Sequence, residues 1–144
     1  MTEEEKQLLL KDLCARIPYG VKCNAILKQI DGSLKSVFGT FKGYNGWATV
    51  GNNLVDIETV RPYLRPLSSM TEEEKKEYNK QVDIDLGRTA EEIKEQLEAG
   101  TLNPENKFTP LYCHIDWLNA HHFDYCGLIP MGLALEAEEG MYKF

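Results

Sequence analysis

The chain has 144 residues, a net charge of −7 and a pI near 5.0, with 42% apolar and 27% charged side chains. That balance excludes a wholly disordered chain, a collagen-like repeat and a membrane-embedded protein. No apolar run approaches the roughly 18 residues of a membrane span.

Length and the lack of a convincing linker predict a single domain over 1–144, of class α+β. Its expected parts are an N-terminal helix in 1–20, a four-stranded antiparallel meander or small SH3-like barrel in 21–67, and a helical C-terminal part in 68–144. Charge is unevenly spread. Residues 21–66 carry six basic side chains against three acidic ones, a net +3 inside an acidic protein. Residues 67–105 carry five against eleven, a net −6. A local positive field can serve recognition even where the whole molecule repels anions.

The hexapeptide Met-Thr-Glu-Glu-Glu-Lys occurs at 1–6 and again at 70–75. Thr2 with Glu5, and Ser69 with Glu72, have capping-box spacing, so each copy is expected to open a helix. The first-turn glutamates also complement the helix dipole. Helix one is predicted over Glu3–Ala15, with Leu9, Leu10, Leu13 and Cys14 on its buried stripe. It ends at Ile17-Pro18-Tyr19-Gly20, where proline disfavours helix before it and glycine frees the turn after it. The acidic start and the short apolar stretch Leu8–Leu10 do not make a signal-peptide core. The expectation is a cytoplasmic protein whose four cysteines, Cys14, Cys23, Cys113 and Cys126, are free thiols.

From Val21 the period changes to two. Val21, Cys23, Ala25 and Leu27 alternate with Lys22, Asn24, Ile26 and Lys28, a strand with one apolar lapse at Ile26. Asp31-Gly32 turns into a second strand, Leu34–Tyr44. Asn45-Gly46 signals a type I′ hairpin, Trp47–Val50 returns, and Leu54–Val60 is a fourth strand. Arg61–Leu67 is expected to leave the sheet, because two prolines remove ladder donors. A second helix is predicted over Thr71–Val82. A third, capped by Thr89, is expected over Ala90–Ala99. Phe108–Tyr112 reads as a short strand, and Asp116 as the N-cap of a helix over Trp117–Phe123. Leu128–Leu135 is a small apolar element, and the tail from Glu136 is expected to be loose.

Chemistry-bearing residues concentrate in one stretch. Cys113, His114, Asp116, His121, His122, Asp124 and Cys126 fall within fourteen residues and include every histidine of the chain. Cys113, His114, His121 and Cys126 are candidate zinc ligands, although their spacing fits no common zinc module. Cys113 or Cys126 with His121 or His122 and Asp124 would alternatively be a nucleophile, base and orienter. The plainer reading is a helix burying Trp117, Leu118 and Phe123, with cationic histidines at its C-terminal end. No Walker motif, dinucleotide fingerprint, Gly-x-Ser-x-Gly or His-Glu-x-x-His occurs, which disfavours an enzyme without removing that reading, and no cofactor is expected.

The sheet section supplies the other candidates. Tyr44 and Trp47 with Lys35 and Lys42 could clasp a proline-rich peptide on an aromatic groove, or stack bases and grip phosphates. Phe38 and Phe41 are expected to fill the core.

Three stretches carry a resemblance: Asp12-Leu13-Cys14-Ala15-Arg16-Ile17-Pro18-Tyr19-Gly20-Val21-Lys22, Val60-Arg61-Pro62-Tyr63-Leu64-Arg65-Pro66-Leu67-Ser68-Ser69-Met70-Thr71, and Asp116-Trp117-Leu118-Asn119 through Phe123-Asp124-Tyr125. Over nearly its whole length the chain resembles a family of small uncharacterised proteins of gut anaerobic bacteria, their prophages and phages. The resemblance implies a mobile-element context and brings no activity or catalytic residue with it.

The leading expectation is thus a non-catalytic protein-interaction module with an unidentified protein partner and no membrane association. Single-stranded nucleic-acid binding through the basic sheet section comes second. A cysteine- or zinc-dependent enzyme at 113–126 comes third.

Overall fold

A computed structural model describes residues 1–84 and 113–142, excluding the side chain of Cys113. The helix expected at 90–99, its Thr89 cap and the strand at 108–112 lie outside them. The fold is α+β, with an N-terminal helix, a six-stranded mixed sheet and further helices. The chain divides into two compact units, residues 1–69 with 119–144, and residues 70–118.

The first unit opens with α1 (Glu3–Ala15), where the Glu5 N–H donates to Thr2 Oγ1 at 3.1 Å. Its buried stripe is Leu9, Asp12 and Leu13, continued by Arg16. Cys14, expected on that stripe, is exposed, because Asp12 and Arg16 occupy the inner face as a pair. A 3-10 turn at Ile17–Tyr19 and Gly20 at φ 68 then redirect the chain into the sheet.

The strands are β1 (Lys22–Lys28), β2 (Leu34–Tyr44), β3 (Ala48–Val50), β4 (Asn53–Val55), β5 (Arg61–Leu64) and β6 (Leu135–Glu136). Their order is β4-β3-β2-β1-β5-β6, antiparallel except for the β5–β6 pair. The first four strands alternate as the period-two pattern requires, with Cys23 and Ala25 buried and Asn24 and Ile26 on the other face. Leu9 and Leu13 of α1 join Val21, Phe41, Val50, Val55, Val60, Leu64 and Leu128 in one core.

Four sheet expectations are corrected. Arg61–Leu64 does not leave the sheet. Pro62 is accommodated because β5 pairs with β1 over only two positions, so one missing donor costs the ladder little. The strand expected over Leu54–Val60 ends at Val55. There the Asp56 carboxylate accepts the Glu58 N–H at 2.9 Å and folds Ile57–Thr59 into a 3-10 turn. The Asn45-Gly46 turn is not type I′: Tyr44 pairs with Ala48, leaving a three-residue loop in which only Gly46 has positive φ, at 94°. The C-terminal part also contributes β6 to the sheet. Its tail is fastened there by the Ala137 N–H on the Leu64 carbonyl at 2.8 Å and by Tyr142.

In the second unit the Thr71 N–H donates to the Glu74 carboxylate at 3.1 Å, and the Glu74 N–H donates to Thr71 Oγ1 at 3.2 Å. The capping box is therefore Thr71–Glu74 and not Ser69–Glu72, which matches the Thr2–Glu5 spacing of the first hexapeptide. It opens α2, helical over the described residues 72–84. The next helix among the described residues, α3 (Cys113–Ala120), starts earlier than expected, placing Asp116 in its first turn instead of at its cap. The Tyr78 ring lies 5.7 Å from Trp117 and 6.2 Å from His114. Among the described residues, no helix is long and apolar enough to cross a membrane.

Candidate functional site

The sheet bears an open groove of about 520 Å³ lined by Ile26, Leu27, Lys28, Leu34, Trp47, Leu54, Val55, Asp56 and Thr59. That volume falls within the usual range for ligand sites. Each wall has a local cause. The three-residue hairpin loop lifts Trp47 out of β3, and the residue is 56% exposed. The pleat turns Leu54 outward between Asn53 and the buried Val55, leaving it 59% exposed. Leu34 begins β2 and is 70% exposed. Ile26, the apolar lapse in the β1 pattern, lines the floor.

Hydrogen bonds tie together elements that line the groove. The Ile26 N–H donates to Thr59 Oγ1 at 3.3 Å, and the Thr59 hydroxyl lies 3.4 Å from the Ile26 carbonyl, linking β1 to the 3-10 turn. The acids nearby are turned onto backbone. Asp56 accepts from Glu58, and Asp31 accepts from the N–H and hydroxyl of Ser33 at 2.9 and 2.6 Å. The Ser33 bonds hold the Asp31 carboxyl below its ordinary range. Lys28 lines the groove, and Lys35 stands directly across the β1–β2 ladder from Leu27.

Of the four residues proposed from sequence, Trp47 lines this groove, and Lys35, the ladder partner of Leu27, is not among its lining residues. Tyr44, 37% exposed opposite Ala48, is not among its lining residues, and Lys42 lies at the bulge between Phe41 and Gly43. Sequence reasoning missed Ile26, Leu34 and Leu54. Their signal was an apolar residue at an outward strand position, where a half-buried sheet ordinarily places a polar one. Phe38 corrects the expectation that both phenylalanines fill the core. Phe41 is buried, whereas Phe38 is 57% exposed with its ring 5.8 Å from Tyr63.

The stretch at 113–126 is put to other uses. Among the described residues no three His, Cys, Asp or Glu side chains converge to hold a metal. His114 belongs to the unit 70–118, while His121 and Cys126 belong to the other. The side chain of Cys113 lies outside the described residues. Asp124 is a turn-builder, its two oxygens accepting the Leu128 and Ile129 N–H groups at 2.8 and 2.9 Å. Burial, and after it the Asp12 carboxylate, push the Cys126 thiol up, opposite to the direction that activates a nucleophile. His122 is not the cationic helix-end residue expected. Burial and then Arg16 push its pKa down to about 4, and its ring stacks on Tyr142 with centroids 3.8 Å apart.

In comparisons with known proteins, no family model, no curated protein and no solved structure matches this chain.

Proposed function

We propose that this chain is a non-catalytic protein-interaction module that holds a segment of a partner protein in the Trp47 groove. One observation carries the reading: Trp47, Leu34 and Leu54 are more than half exposed around a single concavity. Such rings and branched chains leave water only when a partner covers them, and buried aromatics dominate the energetics of protein interfaces. The order β4-β3-β2-β1-β5, with a 3-10 turn between β4 and β5, supports a small SH3-like barrel as the finer description of the sheet. The resemblance noted from sequence favours a phage or prophage origin. A reducing bacterial cytoplasm suits the free thiols of Cys14, Cys23 and Cys126.

The test is affinity capture from a gut-anaerobe lysate, with and without nuclease, using the wild type and a Trp47→Ala/Leu54→Ala variant. Both side chains are exposed, so the fold should persist in the variant. A discrete protein that survives nuclease and is lost with the variant is expected. Equal recovery by both forms would overturn the reading. Material lost on nuclease treatment would transfer the function to nucleic acid, with the Phe38–Tyr63 face and the lysines Lys35 and Lys42 as its contacts.

A further inference from the structure

We infer that Asn45 is a self-modification site, which converts through a cyclic imide with Gly46 to isoaspartate and so resets the loop that carries Trp47. Asn45 alone among the asparagines of the chain precedes glycine. The reaction is intramolecular, because the backbone nitrogen that follows an asparagine can close a small ring onto its carboxamide carbon. The fold leaves both atoms free. Asn45, Gly46 and Trp47 form the exposed loop between β2 and β3. Among the described residues, no hydrogen bond engages the Gly46 N–H or the Asn45 carboxamide. A Cβ built on Gly46 would meet nothing within 4 Å, and glycine has no side chain of its own to crowd the attack. The Asn45 N–H, which takes no part in the reaction, donates to the Trp47 carbonyl at 3.2 Å.

Comparable positions elsewhere are closed to the same chemistry. At Asp31-Gly32 the Gly32 N–H donates to the Gln29 carbonyl at 3.0 Å, and the Asp31 carboxylate is held by Ser33. The Asn24 carboxamide exchanges hydrogen bonds with the Ser36 hydroxyl at 3.0 and 3.2 Å. Asn119 is buried and accepts the Tyr125 hydroxyl at 2.8 Å. Asn79 lies within α2, where the helical ladder engages the nitrogen that would attack. Asn52 and Asn53 precede residues whose side chains crowd that nitrogen.

In the first step the Gly46 nitrogen gives its proton to hydroxide and bonds to Asn45 Cγ. The Cγ–Nδ2 bond breaks, and the amide leaves as ammonia after taking a proton from water. Water then opens the imide, its hydroxyl going to a carbonyl carbon and its other proton to the ring nitrogen. Opening at Cγ gives aspartate, whereas opening at the backbone carbonyl routes the chain through Cγ and gives isoaspartate. The sum consumes one water and releases one ammonia, with no oxidant or reductant. Either product adds a negative charge, and isoaspartate also adds one carbon to the backbone. A three-residue loop fixed by the Tyr44–Ala48 pair and by the Asn45–Trp47 hydrogen bond has no slack for that carbon. Trp47, a wall of the groove, therefore shifts. The modification stands without the interaction reading, and only its effect on an occupant of the groove rests on that reading.

The experiment incubates the full chain, folded and in urea, in ¹⁸O-labelled water at neutral and mildly alkaline pH. Peptides are then mapped by mass and by isoaspartate-specific methylation. The expected result is a gain of about 3 Da confined to the Asn45-Gly46 peptide of the folded chain, faster at the higher pH and with isoaspartate exceeding aspartate. Asn45→Gln should stay unmodified, because its longer side chain closes a less favoured ring. In ¹⁵N spectra a second Trp47 indole N–H signal should grow in step with the mass change and be absent from that variant. An intact Asn45 in the folded chain while the unfolded chain converts would overturn the site. Equal conversion at Asn52 or Asn53, or aspartate as the sole product, would also overturn it. A Trp47 signal that does not move on full conversion would overturn the effect on the loop. Trp47-dependent capture of a protein by freshly prepared chain alongside any of these failures leaves the interaction reading standing, so the two proposals fail separately.

Discussion

Arg16 and Asp12 form an ion pair with no solvent exposure, Nε lying 2.7 Å from Oδ1 and Nη2 3.1 Å from Oδ2. The same Nη2 donates to the Phe123 carbonyl at 2.6 Å, and the guanidinium lies 5.3 Å from the centre of the Tyr125 ring. The pair therefore ties the end of α1 to a segment more than a hundred residues away. Nη1 has no hydrogen-bond partner among the described residues, so the desolvation of the cation is only partly offset.

Removing one member should be far worse than removing both. Arg16→Ala leaves Asp12 buried without its cation and should cost about 3–5 kcal/mol. Asp12→Ala should cost a similar amount for the mirror-image reason. An Asp12→Leu/Arg16→Met double variant restores apolar volume and should lie much closer to wild type. Urea unfolding of the three variants checks this, and additive losses would contradict the pairing argument.

Phe41 and Phe38 should separate cleanly in the same assay. Phe41 is buried in the core, so Phe41→Ala should cost about 3–5 kcal/mol. Phe38 is exposed, and Phe38→Ala should change stability by less than about 1 kcal/mol. Comparable losses at the two positions would mean that Phe38 is packed.

That pair also marks how far the sequence was legible. An odd separation of three places two residues on opposite faces of a strand, so the pleat alone distinguishes Phe38 from Phe41 once β2 is recognised. Helix α1 and the extents of β1 and β2 were readable because caps, periodicity and turn residues agree there. The Asp12–Arg16 stripe was not, because burial of charge depends on a carbonyl and a ring supplied from residues 123 and 125. Strand β6 was equally hidden. A two-residue strand has no period, and only its partner Tyr63–Leu64 defines it. For the groove, Trp47 was legible as an aromatic at a hairpin, whereas its companions from β1, β2 and β4 converge only through the fold.

Tyr142 should act as a fastener. Its hydroxyl donates to the Tyr63 carbonyl at 2.7 Å and accepts the Lys22 N–H at 3.0 Å, bridging β5 and β1 beside the sheet. The Lys22 ammonium reinforces the contact by donating to the Met141 carbonyl at 2.9 Å. Tyr142→Phe keeps the ring and deletes both hydroxyl bonds, so a loss of about 1–3 kcal/mol is expected. Amide exchange at Lys22 should accelerate with it. An unchanged exchange rate would show that the hydroxyl holds nothing in solution.

His122 makes stability depend on mild acidity. Its imidazole stacks on Tyr142, and burial, followed by the positive charges of Arg16, His121 and Arg65, disfavours protonation, while a backbone contact with Tyr19 acts the other way. The group titrates near 6.5 when unfolded and about 4 when folded. Between those values the unfolded chain binds the extra proton, so unfolding free energy rises with pH across the window. Stability from this residue is complete above about 6.5 and falls as pH drops toward 4. The residue sits at φ 59, a left-handed conformation that asparagine tolerates well, so His122→Asn removes the titration with little added backbone strain. Urea midpoints measured across that window should fall more steeply for wild type than for the variant. Equal slopes would assign the acid sensitivity to other groups.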